Sequence, residues 1–160
     1  MTVHWNAWLD YVIPFYQPPA QNIRLGSIKT VPFDSHLHVD SLNINSQITD
    51  AGIYYKATGM DSQVIFNKSL CQYIAPNALI IMEFYAETAD TLQFFIDEGS
   101  GFNTRNSATS KYQQGENRLL IPVSASHCKR LRFDPFTASN GSILLKTLQF
   151  APMHIRKRRD

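Results

Sequence analysis

Leu79-Ile80-Ile81-Met82-Glu83-Phe84-Tyr85-Ala86-Glu87 alternates with period two, which sends Ile80, Met82, Phe84 and Ala86 to one side and Ile81, Glu83, Tyr85 and Glu87 to the other. Thr88-Ala89-Asp90 follows as a tight connection, and Thr91-Leu92-Gln93-Phe94-Phe95-Ile96-Asp97 alternates again with Leu92, Phe94 and Ile96 inward. Two alternating runs joined by a short turn predict a β-hairpin. Downstream, Asn117 to Val123 places Leu119, Ile121 and Val123 on one face. Lys129 to Asp134 turns Leu131 and Phe133 inward and Arg130 and Arg132 outward, and Asp134-Pro135 stops it. Ser139-Asn140-Gly141-Ser142 is a turn signal, and Ser142 to Phe150 is the last strand. Its rhythm breaks at Leu144-Leu145 and Leu148, which predicts a bulge.

Upstream the strands are shorter. His36-Leu37-His38-Val39-Asp40, Ile53-Tyr54-Tyr55-Lys56 and Gln63-Val64-Ile65-Phe66 are separated by turn residues such as Thr58-Gly59-Met60-Asp61. The sum is eight or nine short strands at roughly ten-residue spacing, which predicts an all-β, antiparallel β-sandwich of the jelly-roll kind. The expected organisation is an N-terminal arm over residues 1–22, a sandwich over 23–152 and a basic tail over 153–160. Within the arm, Trp5, Leu9, Val12 and Tyr16 recur at helical spacing until Pro14 and Pro18-Pro19 intervene, so a short helix and an extended arm both fit.

A chain of 160 residues buries about 70% of its unfolded surface and needs neither metal nor disulfide to hold a core. The formal charge is +2, and its basic excess is concentrated in Arg156-Lys157-Arg158-Arg159. The body is near neutral, which argues against a nucleic-acid partner. No stretch approaches the ~20 apolar residues of a membrane span, so no membrane insertion is expected. The first ten residues carry no Lys or Arg and no long apolar run follows them. The expectation is therefore a cytoplasmic protein, with Cys71 and Cys128 as reduced thiols.

The segments Leu79-Ile80-Ile81-Met82-Glu83-Phe84-Tyr85-Ala86, Thr91 to Asp97, Gly101-Phe102-Asn103, Gly115-Glu116-Asn117-Arg118 and Lys129-Arg130-Leu131-Arg132-Phe133-Asp134-Pro135 resemble the galactose-binding-like jelly-roll modules. Versions of that sandwich are appended to bacterial glycosyltransferases and membrane enzymes of cell-surface polysaccharide assembly. The resemblance covers residues 79–150. It implies a non-catalytic role, either sugar recognition or the positioning of a neighbouring domain, with no cofactor.

Sugar binding asks for an aromatic face and a few fixed polar groups. Two regions supply both. One is a sheet face carrying Tyr85, Glu83, Arg130 and Arg132, in which the carboxylates pair with the arginines. The other is the polar stretch with Phe102, Asn103, Arg105 and Tyr112. An alternative function is protein interaction or assembly, in which Trp5, Trp8, Tyr11 and Phe15 of the arm form an interface with a neighbouring domain or a homodimer partner.

Catalytic readings find little. Asp34-Ser35-His36-Leu37-His38-Val39-Asp40 looks like the first metal-binding strand of amidohydrolases, and on a strand His36 and His38 would lie about 7 Å apart on one face. His36, His38 and Asp40 are therefore the metal candidates of a small metal-dependent hydrolase, but the (β/α)₈ machinery is missing. The plainer reading is a half-exposed strand with Leu37 and Val39 inward. Glu83 and Glu87, four apart on a strand, are about 13 Å apart, too far for a glycosidase pair. Gly99-Ser100-Gly101 lacks the helix that would aim its amides at a phosphate.

Overall fold

The computed structural model describes residues 3–4 and 22–156. Thirteen strands lie among them. In chain order they are β1 (Val3–His4), β2 (Asn22–Leu25), β3 (Lys29–Thr30), β4 (His38–Leu42), β5 (Ile44–Thr49), β6 (Gly52–Ala57) and β7 (Gln63–Phe66). They continue with β8 (Asn77–Ala86), β9 (Asp90–Asp97), β10 (Ser107–Tyr112), β11 (Gly115–Ser124), β12 (Arg130–Asp134) and β13 (Ser142–Arg156). Two 3₁₀ turns, Lys68–Tyr73 and Thr104–Asn106, are the helical elements among these residues.

The strands form two antiparallel sheets, as the alternation predicts. The smaller has five strands in the order β10-β9-β12-β7-β4. The larger has eight and is built around β13. One edge of β13 pairs in turn with β6, β3 and β2, and the other pairs with β8, which pairs with β11. The register slips between Leu145 and Thr147, the bulge that the broken rhythm predicts.

The inward faces meet in a core whose largest members are rings. Phe94 stacks on Phe133 at 4.7 Å and Phe66 on Phe133 at 6.1 Å, and all three are at most 1% exposed. Each fully buried Phe is worth about 1.5–3 kcal/mol of transfer free energy. A second buried cluster, with Leu25, Leu79, Ile81, Leu120 and Met153, lies on the opposite face of the larger sheet. Burial on both faces explains why Ala78-Leu79-Ile80-Ile81-Met82 reads as an unbroken apolar run.

Three expectations are corrected. First, β8 and β9 are not a hairpin: β8 pairs with β11 and β13, while β9 pairs with β10 and β12. The connection between them crosses from one sheet to the other. Alternation reports which face of a strand is buried, not which neighbour it hydrogen-bonds, and here Phe84 and Phe94 bring the two strands to a shared core from opposite sides. Second, Cys71 and Cys128 are not free thiols but a disulfide, with Cα atoms 5.3 Å apart. Cys71 lies on the Lys68–Tyr73 turn and Cys128 on the β11–β12 connection. The folded sandwich brings the two together across a sequence separation of 57, which no local spacing reveals. Third, Val39 points outward and is 62% exposed, because a bulge between His38 and Asp40 shifts the parity of β4.

The sandwich body extends beyond residue 152, since β13 runs to Arg156 and pairs there with Asn22. The arm with Trp5, Trp8, Tyr11 and Phe15, and the end of the basic tail, lie outside the described residues.

Candidate functional site

The outer face of the five-stranded sheet carries the densest set of fixed polar and aromatic groups. Parity puts it there: with Leu92, Phe94 and Ile96 of β9 and Leu131 and Phe133 of β12 buried inward, Gln93, Phe95, Arg130, Arg132 and Asp134 must face out. The register sets Arg132 beside Phe95 and Asp134 beside Gln93. A depression of about 300 Å³ lies over Gln93, Phe95, Arg132 and Asp134, edged also by Asp61 and Thr91.

Arg132 is the centre. Its Nε and Nη2 donate to the two oxygens of Asp134 at 2.7 and 2.5 Å, a bidentate fork that fixes the guanidinium plane. Its Cζ lies 4.3 Å from the Phe95 ring centre and 5.6 Å from that of Phe102. Arg130 adds a second guanidinium 4.5 Å over the Phe102 ring. The result is a ladder of alternating rings and guanidinium planes in which the ring quadrupoles stabilise the cations. The bond to Asp134 holds Arg132 firmly protonated, and burial lifts the Asp134 carboxyl above its ordinary range.

A single buried carboxylate organises the outer end of the ladder. Asp97 closes β9 at 5% exposure. Its Oδ1 accepts the Gly99 and Gly101 amides at 2.8 and 2.9 Å, and its Oδ2 accepts Arg130 Nε at 2.9 Å. Gly99 and Gly101 hold φ of +133° and +92°, a curl that L side chains resist and that brings those amides onto one oxygen. The curl delivers Phe102 to the sheet face. The amide hydrogen bonds, led by that from Gly99, keep the Asp97 carboxyl below the ordinary range. The β9–β10 connection thus places the Phe102 ring beside the Arg130 cation of β12.

The other candidates separate. Glu83 and Tyr85 are on β8 of the larger sheet, so they do not share a face with Arg130 and Arg132. Glu83 pairs with Arg118 at 3.6 Å, and the arginines of β12 pair with Asp97 and Asp134. The expected grouping fails because β8 and β12 belong to different layers. Tyr112 is also corrected: at 5% exposure it faces the core, packs edge-on to Phe84 at 5.1 Å and donates to the Pro135 carbonyl. Asn103 caps the Thr104–Asn106 turn by accepting the Asn106 amide, and Arg105 is exposed on that turn, beside Phe102 in sequence.

His36, His38 and Asp40 do not converge. His36 lies in the turn before β4, His38 turns inward to Tyr55 Oη at 2.6 Å, and Asp40 accepts the Ser41 amide. No group of three or more metal-ligating side chains occurs among the described residues.

Phe95, Gln93, Asp97 and Asp134 join the site although the sequence reading did not single them out for binding. The signal for Phe95 was present: it is an aromatic residue at the outward parity of a strand whose inward side carries Leu92, Phe94 and Ile96, and the Arg132 guanidinium above it leaves it 8% exposed.

No protein-family model matches the sequence, and neither does any curated protein. Solved structures with a similar fold do exist. A family 29 carbohydrate-binding module from Piromyces equi superposes over 83% of this chain and 91% of its own, with a TM-score of 0.56 at 10% identity. A variant of CBM29-2, another family 29 module, covers 78% and 90% with a TM-score of 0.60 at 7% identity. The C-terminal CBM6 of LamC, a marine laminarinase from Zobellia galactanivorans, covers 79% and 100% with a TM-score of 0.55 at 10% identity. At such identities the likeness is one of fold, and the fold is an antiparallel β-sandwich.

Proposed function

We propose that the protein is a non-catalytic carbohydrate-binding module that holds a glycan across the outer face of the five-stranded sheet. The observation that carries the reading is the ladder of Phe95, Arg132, Phe102 and Arg130, locked by Asp134 and Asp97. Sugar hydroxyls both donate and accept, and this face offers both kinds of partner: guanidinium N–H groups, the Gln93 amide and the Asp134 carboxylate. The half-buried Phe102 ring beside them is the apolar element of the patch. Each guanidinium has its own carboxylate, so the patch carries no large net charge and suits a neutral polymer. The fold shared with carbohydrate-binding modules supports the same reading.

Affinity electrophoresis against soluble neutral glucans, mannans and xylans tests it. At least one polymer should retard the protein. Arg132→Ala should weaken that binding about 10- to 100-fold, the worth of one or two hydrogen bonds to a charged group. Retardation by none of the polymers, or equal binding by Arg132→Ala, sinks the proposal.

The finer setting we propose is association with enzymes of cell-surface polysaccharide assembly, supported by the resemblance over residues 79–150. The Cys71–Cys128 disulfide supports a working environment that is oxidising rather than cytosolic.

A further inference from the structure

The segment Asp34-Ser35-His36 holds no metal cluster, yet it edges a second cavity. This cavity, of about 220 Å³, opens where the β3–β4 connection meets the Lys68–Tyr73 turn, and it shares no lining residue with the depression over Arg132. Its base is apolar, with Leu37 and Leu70 at 3% and 6% exposure. One wall is the Tyr73 ring, stacked on Phe150 at 5.8 Å and 19° and therefore fixed in direction.

The rim is polar and oriented. Asp34 Oδ1 accepts the His36 amide at 2.8 Å, Asn67 Nδ2 donates to the His36 carbonyl at 3.1 Å, and Gln72 Nε2 donates to the Ser69 carbonyl at 2.9 Å. A carboxylate has about four acceptor positions, and the His36 amide takes one. An aromatic wall, an apolar base and a rim of carboxylate, imidazole and amide are the components of a site for a small, hydroxyl-rich ring.

We propose that this cavity is a second saccharide site, taking one neutral hexose ring. The volume sets the size: pockets for drug-sized ligands span about 300–1,000 Å³, and this one is smaller. The Asp34 carboxylate at the rim sets the charge, because a uronate brought beside it would meet like-charge repulsion.

Titration of the full isotope-labelled chain with D-glucose, D-galactose, D-mannose and D-glucuronate, followed by amide NMR, tests it. At least one of the three hexoses should give saturable shifts at Asp34, His36 and Gln72, with glucuronate at least about tenfold weaker. Asp34→Ala and Gln72→Ala change exposed side chains, so the remaining spectrum should stay in place while hexose affinity falls about tenfold. No saturable shift with any hexose, unchanged affinity in Asp34→Ala, or glucuronate binding as well as the hexoses overturns the proposal. Arg132→Ala separates this site from the sheet face, since it should leave the hexose shifts intact. Polymer binding that persists without hexose shifts removes the cavity and spares the sheet face, and the converse result removes the sheet face and spares the cavity.

Discussion

Asp97 shows how much one side chain can organise. Its two oxygens link the Gly99–Gly101 curl to Arg130, and its own carbonyl accepts the Lys129 amide at 2.7 Å. Removing the carboxylate releases Phe102 and Arg130 together. Asp97→Ala should therefore lower polysaccharide affinity by about tenfold or more without touching a sugar itself, and should lower the melting temperature as well. Calorimetry on both variant and parent checks the pair of effects, and a variant that binds like the parent contradicts the role. His38 gives a pH signature instead. Burial beside Tyr55 and Phe66 lowers its pKa below the ordinary 6.5, so the folded chain holds the ring neutral. As pH falls below 6.5 the unfolded chain takes up the proton first, and stability declines until the folded pKa is passed. Urea midpoints on either side of 6.5 should fall on the acid side, and His38→Gln should flatten that part of the curve.

Among the elements, the β5–β6 hairpin depends on Gly52. Its φ is +137°, and a Cβ there would overlap the Leu145 carbonyl of β13. Gly52→Ala should cost about 2 kcal/mol or more through backbone strain and displacement of the neighbouring strand, read from urea denaturation. That hairpin also marks where the sequence falls silent. β5 exposes every residue after Ile44, so it lacks the alternation that identifies β8, β9, β11 and β12. β10 hides in the same way inside a polar run, with Tyr112 its one buried residue. Strands with a buried face announce themselves through packing, whereas edge strands are held by backbone hydrogen bonds to which side-chain pattern is indifferent. The site follows the same divide. Arg130, Arg132 and Phe102 were legible as outward or loop residues, but their meeting with Phe95 and Asp97 depends on strand neighbours that alternation does not specify.

At the scale of the molecule, the disulfide is the long staple. Across a separation of 57 residues, the chain-entropy relation gives a stabilisation of about 4 kcal/mol. The β11–β12 connection that it anchors also donates the Ser126 amide to Glu98 at 2.7 Å, so the staple braces the loop that follows β9 at one end of the five-stranded sheet. Reduction, or Cys71→Ser, should lower unfolding free energy by roughly 2–4 kcal/mol in urea. The unreduced protein should show no thiol reactive toward Ellman's reagent under denaturing conditions, and two reactive thiols would refute the pairing. The fifteen-residue β13, flanked in turn by β6, β3 and β2 on one side and by β8 on the other, bears on how the protein is born. Until residues 142–156 clear the ribosome, β8 and β6 have no common neighbour, and the larger layer exists only as fragments. The pieces β1–β2, β3, β5–β6 and β8–β11 can therefore join into one layer only once residue 156 has left the ribosome, and a nascent chain stalled earlier would leave its greasy strands uncovered.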